Sequence, residues 1–153
     1  MQVINYTGKT QFLSSIALQW EKEANPEKFG IRCSVDKFLA SLQELASNPQ
    51  SALLLLCDDS GNVHGFMGCV LFDSPLDGQL IANEHFWFVT PKHRNGTAAM
   101  RLIKAAKAWA KANGASHLIM NASMLASDSH DRVCKLYERT MKHFETTYIQ
   151  CLD

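Results

Sequence analysis

Residues 87–99, WFVTPKHRNGTAA, decide the fold: they run from the end of an apolar strand through a polar loop into the first turn of a helix. Phe86, Trp87, Phe88 and Val89 form the strand end. Thr90-Pro91 stops it, because proline has no N–H to give to a ladder. Arg94, Asn95 and Gly96 then lead into a helix that starts near Thr97. A helix N-terminus carries unpaired N–H groups and about half a positive charge, so it suits a phosphate. Gly96 and the small Ala98 and Ala99 let a bulky anion approach the backbone closely. Read alone, the stretch serves equally well as an ordinary strand-to-helix turn, since one glycine-containing loop is a weak motif.

Upstream, three apolar segments lead into it. Ala52–Cys57 is a continuous apolar run, the pattern of a buried strand. A turn at Asp58–Asn62 follows. Val63–Phe72 is a second strand, and its internal Gly65 and Gly68 predict a bulge or a close backbone approach. After a turn at Asp73–Gly78, Leu80–Val89 completes the meander. Before it, Val3–Tyr6 is a short first strand. A helix spans Gln11–Ala24, with Thr10 as N-cap and Phe12, Leu13, Ile16, Ala17 and Trp20 on one stripe. Asn25-Pro26 ends it. A second helix follows Ser34, buries Phe38, Leu39, Leu42 and Leu45, and stops at Asn48-Pro49.

Downstream, Ala99, Leu102, Ile103, Ala106, Trp109 and Ala110 share one face of a long helix, and Asn113-Gly114 stops it. Its lysines form a solvated face. His117–Asn121 is a strand and Ala122–Ser129 a loop. Asp128 or Ser129 caps a last helix over Asp131–Lys142, with Val133, Leu136 and Tyr137 inward. Phe144–Cys151 reads as a final strand. The order β-α-α-β-β-β-α-β-α-β predicts one α/β domain over residues 1–153: a mixed, mostly antiparallel sheet with helices on both faces.

Composition bounds the function. At 153 residues, 46% hydrophobic and with zero net charge, the chain is a globular domain with a real core. It is not one whose affinity rests on a global basic surface, so nucleic acid is not an expected partner. The five cysteines are odd in number and several lie in apolar runs, as expected of free thiols in a reducing compartment. Neither C-x-x-C nor paired histidines occur, so no metal site is expected. The start MQVINYTGKT lacks a signal-peptide pattern, and no apolar run could span a bilayer. A cytoplasmic protein without membrane contacts is expected.

The organising stretch resembles the phosphate-binding motif of the GNAT acyltransferase superfamily, V-x-P-x-x-R-G-x-G-x-G/A. Val89, Pro91 and Arg94 fall in register, Asn95 stands where Gly is frequent, Thr97 replaces the central Gly, and Ala99 is the closing small residue. Arg94–Ala99 is closer still to the R-G-G-x-A-A form of short phage-type members. The predicted order of elements is also that family's, and Leu136-Tyr137-Glu138-Arg139 resembles its L-Y-E-K/R. The resemblance implies an N-acyltransferase that moves acetyl from acetyl-CoA directly to a primary amine, on a small molecule, peptide or protein. It implies main-chain groups of Arg94, Asn95, Gly96, Thr97, Ala98 and Ala99 on the pyrophosphate, and of Phe88 and Val89 along the pantetheine and thioester. A homodimer is compatible with it.

Tyr137 falls on the tyrosine that, in many members, protonates the departing thiolate. A phenol with a pKa of about 10 is protonated at neutral pH and can donate; a core tyrosine on an amphipathic helix is the plainer reading. An amine of pKa about 10.4 must lose a proton, and Glu84 on the strand before the loop can take it, as can His85 next to it. In a regular strand the two point to opposite faces, so only one meets the cleft unless a bulge intervenes. Glu84 is the preferred base by resemblance, and a polar edge residue without a chemical role is the alternative. Cys134 as an acyl carrier has no activating base visible in the sequence. His130 stands where the family has Asn, and Thr140-Met141-Lys142 where it has x-G-F. With Thr97, these departures leave a second class open: a non-catalytic module that binds acyl-CoA or a protein.

Overall fold

The structure, a computed structural model, describes residues 1–94, 97–123 and 130–152. Five strands form one sheet in the order of the sequence: β1 (Gln2–Tyr6), β2 (Ser51–Cys57), β3 (Val63–Asp73), β4 (Leu80–Val89) and β5 (His117–Ile119). Neighbours β1 to β4 are antiparallel, and β4 and β5 are parallel. Helices α1 (Ser14–Ala24) and α2 (Val35–Ser47) join β1 to β2, α3 (Ala98–Ala112) joins β4 to β5, and α4 (His130–Glu138) follows β5.

Alternation along the strands divides the core between the two faces of the sheet. Leu53, Leu55 and Phe66 pack with Leu13, Ile16, Phe38 and Leu42 under α1 and α2. Leu54, Leu56, Met67 and Cys69 pack with Leu102, Ile103, Val133 and Tyr137 under α3 and α4. β2 is buried along its whole length, as its unbroken apolar run requires. Ser34 caps α2 by accepting from the Lys37 N–H. No described helix is long and apolar enough to cross a membrane.

Four expectations change. Thr10 does not cap the first helix; its hydroxyl donates to the Leu39 carbonyl at 3.1 Å and its N–H to Gln43 Oε1 at 3.0 Å, pinning the chain to α2. The helix itself begins at Ser14, after a 3-10 turn at Gln11–Leu13, and that turn rotates Phe12 out to 53% exposure. The last helix ends at Glu138, where Thr140 and Met141 donate their N–H groups to the Tyr137 carbonyl in a closing turn. The predicted final strand at Phe144–Cys151 is not formed: residues 141–152 hold neither helix nor strand. β5 offers an edge of only three residues. Moreover, Phe144 and Tyr148 alternate to one side and Ile149 to the other, so no single face could be buried, and all three are exposed.

Candidate active site

The site is built by an irregularity in β4. Gly68 pairs with Phe86 but Cys69 pairs with Glu84, leaving His85 as the extra residue of a bulge. Phe86 and Phe88 pack under α1 and α2. Trp87 and Val89 pack under α3 and α4, and the bulge turns Glu84, opposite Cys69, to that same face. Without it, period two would put Glu84 with Phe86. His85 is exposed, its ring edge-on to Phe86 at 4.6 Å.

β5 pairs with β4 only along Ile81–Asn83. Beyond that, the outer edge of β4 has no strand partner among the described residues. Thr90 donates its N–H to the His64 carbonyl at 2.9 Å. By the alternation of an antiparallel ladder, Phe88 therefore turns its main chain toward β3, while Trp87 and Val89 turn theirs to the open edge. Of the predicted pair, Val89 lies where an extended ligand could pair with it. Phe88 is turned inward, 7% exposed in the α1–α2 core.

Asn121 closes the start of this opening. Its Nδ2 donates to the Glu84 carbonyl at 2.7 Å and to Asn83 Oδ1 at 3.2 Å, and its N–H donates to Glu84 Oε2 at 2.9 Å. Sequence reasoning assigned it no role; its only signal there was a polar side chain at the end of HLIMN. Glu84 is 3% exposed and is paired with no cation among the described residues. Burial pushes its carboxyl up to about 7, against the opposing pull of the Asn121 hydrogen bonds. A carboxyl that exchanges its proton near neutrality is suited to general base or acid work.

Tyr137 reaches the same place from α4. It is 9% exposed, its ring lies 6.5 Å from that of Trp87, and its Oη is buried without a hydrogen-bond partner among the described residues. Burial, then the charges of Glu84 and Cys134, push the phenol well above its usual range, so it stays protonated and holds a proton to give. One turn back on α4, Cys134 Sγ lies 3.6 Å from His130 Nε2, and His130 Nδ1 is buried without a partner among the described residues. An imidazole therefore stands beside the thiol, which the linear reading had left without a base.

At the far end of β4, a 3-10 turn at Pro91–His93 leads toward α3. Arg94 is engaged on every side. Its N–H donates to the Pro91 carbonyl at 3.2 Å and its Nε to the Val89 carbonyl at 2.7 Å, and Nη2 pairs with the Glu23 carboxylate on α1. The guanidinium also lies over the Phe88 ring at 5.2 Å. Asn95 and Gly96 lie outside the described residues. Thr97 accepts through its carbonyl the first α3 bond, from the Arg101 N–H at 2.9 Å, and through Oγ1 a bond from Arg101 Nε at 3.2 Å. The N–H groups of Ala98, Ala99 and Met100 precede that bond and have no intrahelical acceptor. Ala98 is 4% exposed and anchors the first turn in the core; Ala99 is half-buried. A polar cluster braces the turn: Asp58 Oδ2 to His64 Nε2 at 2.8 Å, the His64 and His93 rings 4.1 Å apart, and Thr90 Oγ1 to His93 Nδ1 at 2.9 Å.

The arrangement thus combines an open strand edge, a buried carboxyl and phenol beside it, and the N-terminus of a helix at its end. Against known proteins, residues 15–142 match the model of the acetyltransferase (GNAT) family. No curated protein sequence matches significantly. Among solved structures, a tetramutant of the BH1408 protein of Bacillus halodurans superposes with a TM-score of 0.79 at 16% identity, covering 99% of this chain and 100% of that one. A ribosomal-protein-alanine N-acetyltransferase of Brucella melitensis gives 0.74 at 18%, over 99% and 100%. An aminoglycoside 6'-N-acetyltransferase of Acinetobacter baumannii gives 0.69 at 15%, over 99% and 97%. At such identities these structures establish the shared fold.

Proposed function

Because this chain belongs to the GNAT family of acetyltransferases, we propose that it transfers acetyl from acetyl-CoA to a primary amine, with Glu84 as base and Tyr137 as acid. The observation that carries this reading is the burial of Glu84 and Tyr137 on one face of the sheet, beside the unpaired edge of β4. The pantetheine would pair with the Trp87 and Val89 main chain, and the α3 N-terminus would hold the pyrophosphate. The amine nitrogen attacks the thioester carbonyl carbon while Glu84 takes its proton, directly or through water. The C–N bond forms, the C–S bond breaks, and Tyr137 Oη gives its proton to the departing sulfur. Its lack of a partner among the described residues fits a group whose acceptor arrives with the substrate.

Nitrogen as acceptor is supported by the two N-acetyltransferases among the structural neighbours. The five free cysteines favour a reducing compartment such as the cytoplasm. Acetyl-CoA at about 100 times its dissociation constant should stabilise the fold by about 2.7 kcal/mol, and amines from a panel of polyamines, aminoglycosides and N-terminal peptides should be acetylated. A parent protein whose melting temperature does not respond to coenzyme A or acetyl-CoA would refute the proposal.

A further inference from the structure

The geometry points to Cys134 as a second acyl acceptor within the protein: with no amine in the site, acyl-CoA transfers its acyl group to the Cys134 thiol, and His130 takes the thiol proton. This rests on the acyl-CoA reading above and adds a covalent acyl-enzyme that the family match does not supply.

His130, Cys134 and Tyr137 stand at i, i+4 and i+7 on α4, one stripe of the helix. Cys134 Sγ is 3.6 Å from His130 Nε2, within reach of an S–H···N bond. That bond puts the ring proton on His130 Nδ1, which is buried with no partner among the described residues. Tyr137 Oη, close enough to the thiol to feel its charge, is likewise buried and has no partner among the described residues. Two buried polar atoms without a partner among the described residues, on the same helix stripe as a half-buried thiol, mark a site that lacks its occupant. A cysteine beside an imidazole is the activated-nucleophile pairing. In the step proposed, the Cys134 proton passes to His130 Nε2 and Sγ attacks the acyl carbonyl carbon. The new S–C bond forms, the bond to the coenzyme A sulfur breaks with its electron pair, and His130 returns the proton to that sulfur. Tyr137 hydrogen-bonds the sulfur as it leaves. One thioester replaces another, so the exchange needs no outside energy. An amine that arrives later can take the acyl group from Cys134 by forming C–N and releasing the thiol.

The test incubates the full chain with acetyl-CoA and no amine, follows intact mass, and maps peptides before and after neutral hydroxylamine. Cys33 and Cys151 serve as internal controls, since Cys151 is the more exposed thiol. We expect one hydroxylamine-labile acetyl on Cys134, absent in Cys134→Ser, and formed about 100-fold more slowly in His130→Gln, the usual scale for a lost base. No adduct in a protein whose melting temperature rises with acetyl-CoA overturns this inference and leaves the amine transferase reading standing. So does labelling of Cys151 or Cys33 as fast as Cys134, or a His130→Gln rate equal to the parent's. No thermal response and no adduct removes both.

Discussion

Arg94 and Glu23, 71 residues apart in sequence, close the end of β4 onto α1: the guanidinium donates to the carboxylate, and its Nε holds the Val89 carbonyl at 2.7 Å. The arginine of the phosphate-loop motif therefore spends its side chain on the fold.

Arg94→Ala should consequently behave as a stability mutant first. Hydrogen bonds involving a charged group are worth about 1.5–3 kcal/mol, and the pair is 25% exposed on both sides, so a loss of about 1–3 kcal/mol in urea denaturation is expected. A double-mutant cycle with Glu23→Gln should give a coupling of about 0.5–3 kcal/mol. If Glu23→Gln instead tightens coenzyme A binding at unchanged stability, the guanidinium is a phosphate ligand held in reserve by Glu23.

Glu84 predicts a pH dependence with a definite sign. Its folded value is raised to about 7 from an ordinary 4.5. The fold therefore favours the protonated form. The contribution is fully present below about 4.5, declines as pH rises through that window, and has become a penalty above about 7, where the buried carboxylate is charged. The span corresponds to about 3 kcal/mol. Glu84→Gln should flatten this slope relative to the parent and be the more stable protein at pH 8. It should also be slow near neutrality and recover as the free amine fraction grows, whereas His85→Gln should differ little from the parent. Equal slopes for parent and Glu84→Gln between pH 5 and 8 would rule out the buried-acid account.

Tyr137→Phe separates chemistry from packing. The ring stays against Trp87, and the only heavy atom removed is an Oη with no partner among the described residues. Stability should hold or rise by about 1 kcal/mol, because an unsatisfied buried polar group is removed. Turnover should fall by about 100- to 10,000-fold with coenzyme affinity kept. A stable variant with undiminished kcat would leave the hydroxyl without a part in the reaction.

Gly65 and Gly68 predict different costs for the same added methyl. A Cβ on Gly65 would lie 2.8 Å from the Phe88 carbonyl oxygen, which is backbone and cannot step aside without moving β4. A Cβ on Gly68 would meet the Leu45 Cδ1 methyl, the far end of a flexible side chain. Gly65→Ala should cost about 1–3 kcal/mol and weaken coenzyme A binding, because the displaced segment is the strand edge beside the site. Gly68→Ala should cost less and leave that affinity nearly unchanged, as calorimetry and denaturation can measure.

What the sequence determined by itself was the run of local structure. Strand β2 is apolar throughout, Ser34 has the hydroxyl a cap needs, α3 has one clear stripe, and Val89, Pro91 and Arg94 sit at motif spacing; each depends on residues close together in the chain. The tertiary structure decided what depends on residues brought together from a distance. Whether Glu84 or His85 faces inward turned on a single extra residue in the ladder with Gly68 and Cys69, and pairing register is not written in either strand alone. The Glu84 carboxyl is pushed toward neutrality only by its burial in the assembled fold, against the pull of the Asn121 hydrogen bonds. The Arg94 side chain went to a helix far upstream. Phe144–Cys151, with apolar residues on alternating sides, had the composition of a strand and found only a three-residue edge to join. Periodicity reports which way a side chain points along its own element; register, burial and partner choice are free energies of the assembled molecule, and only the assembled molecule sets them.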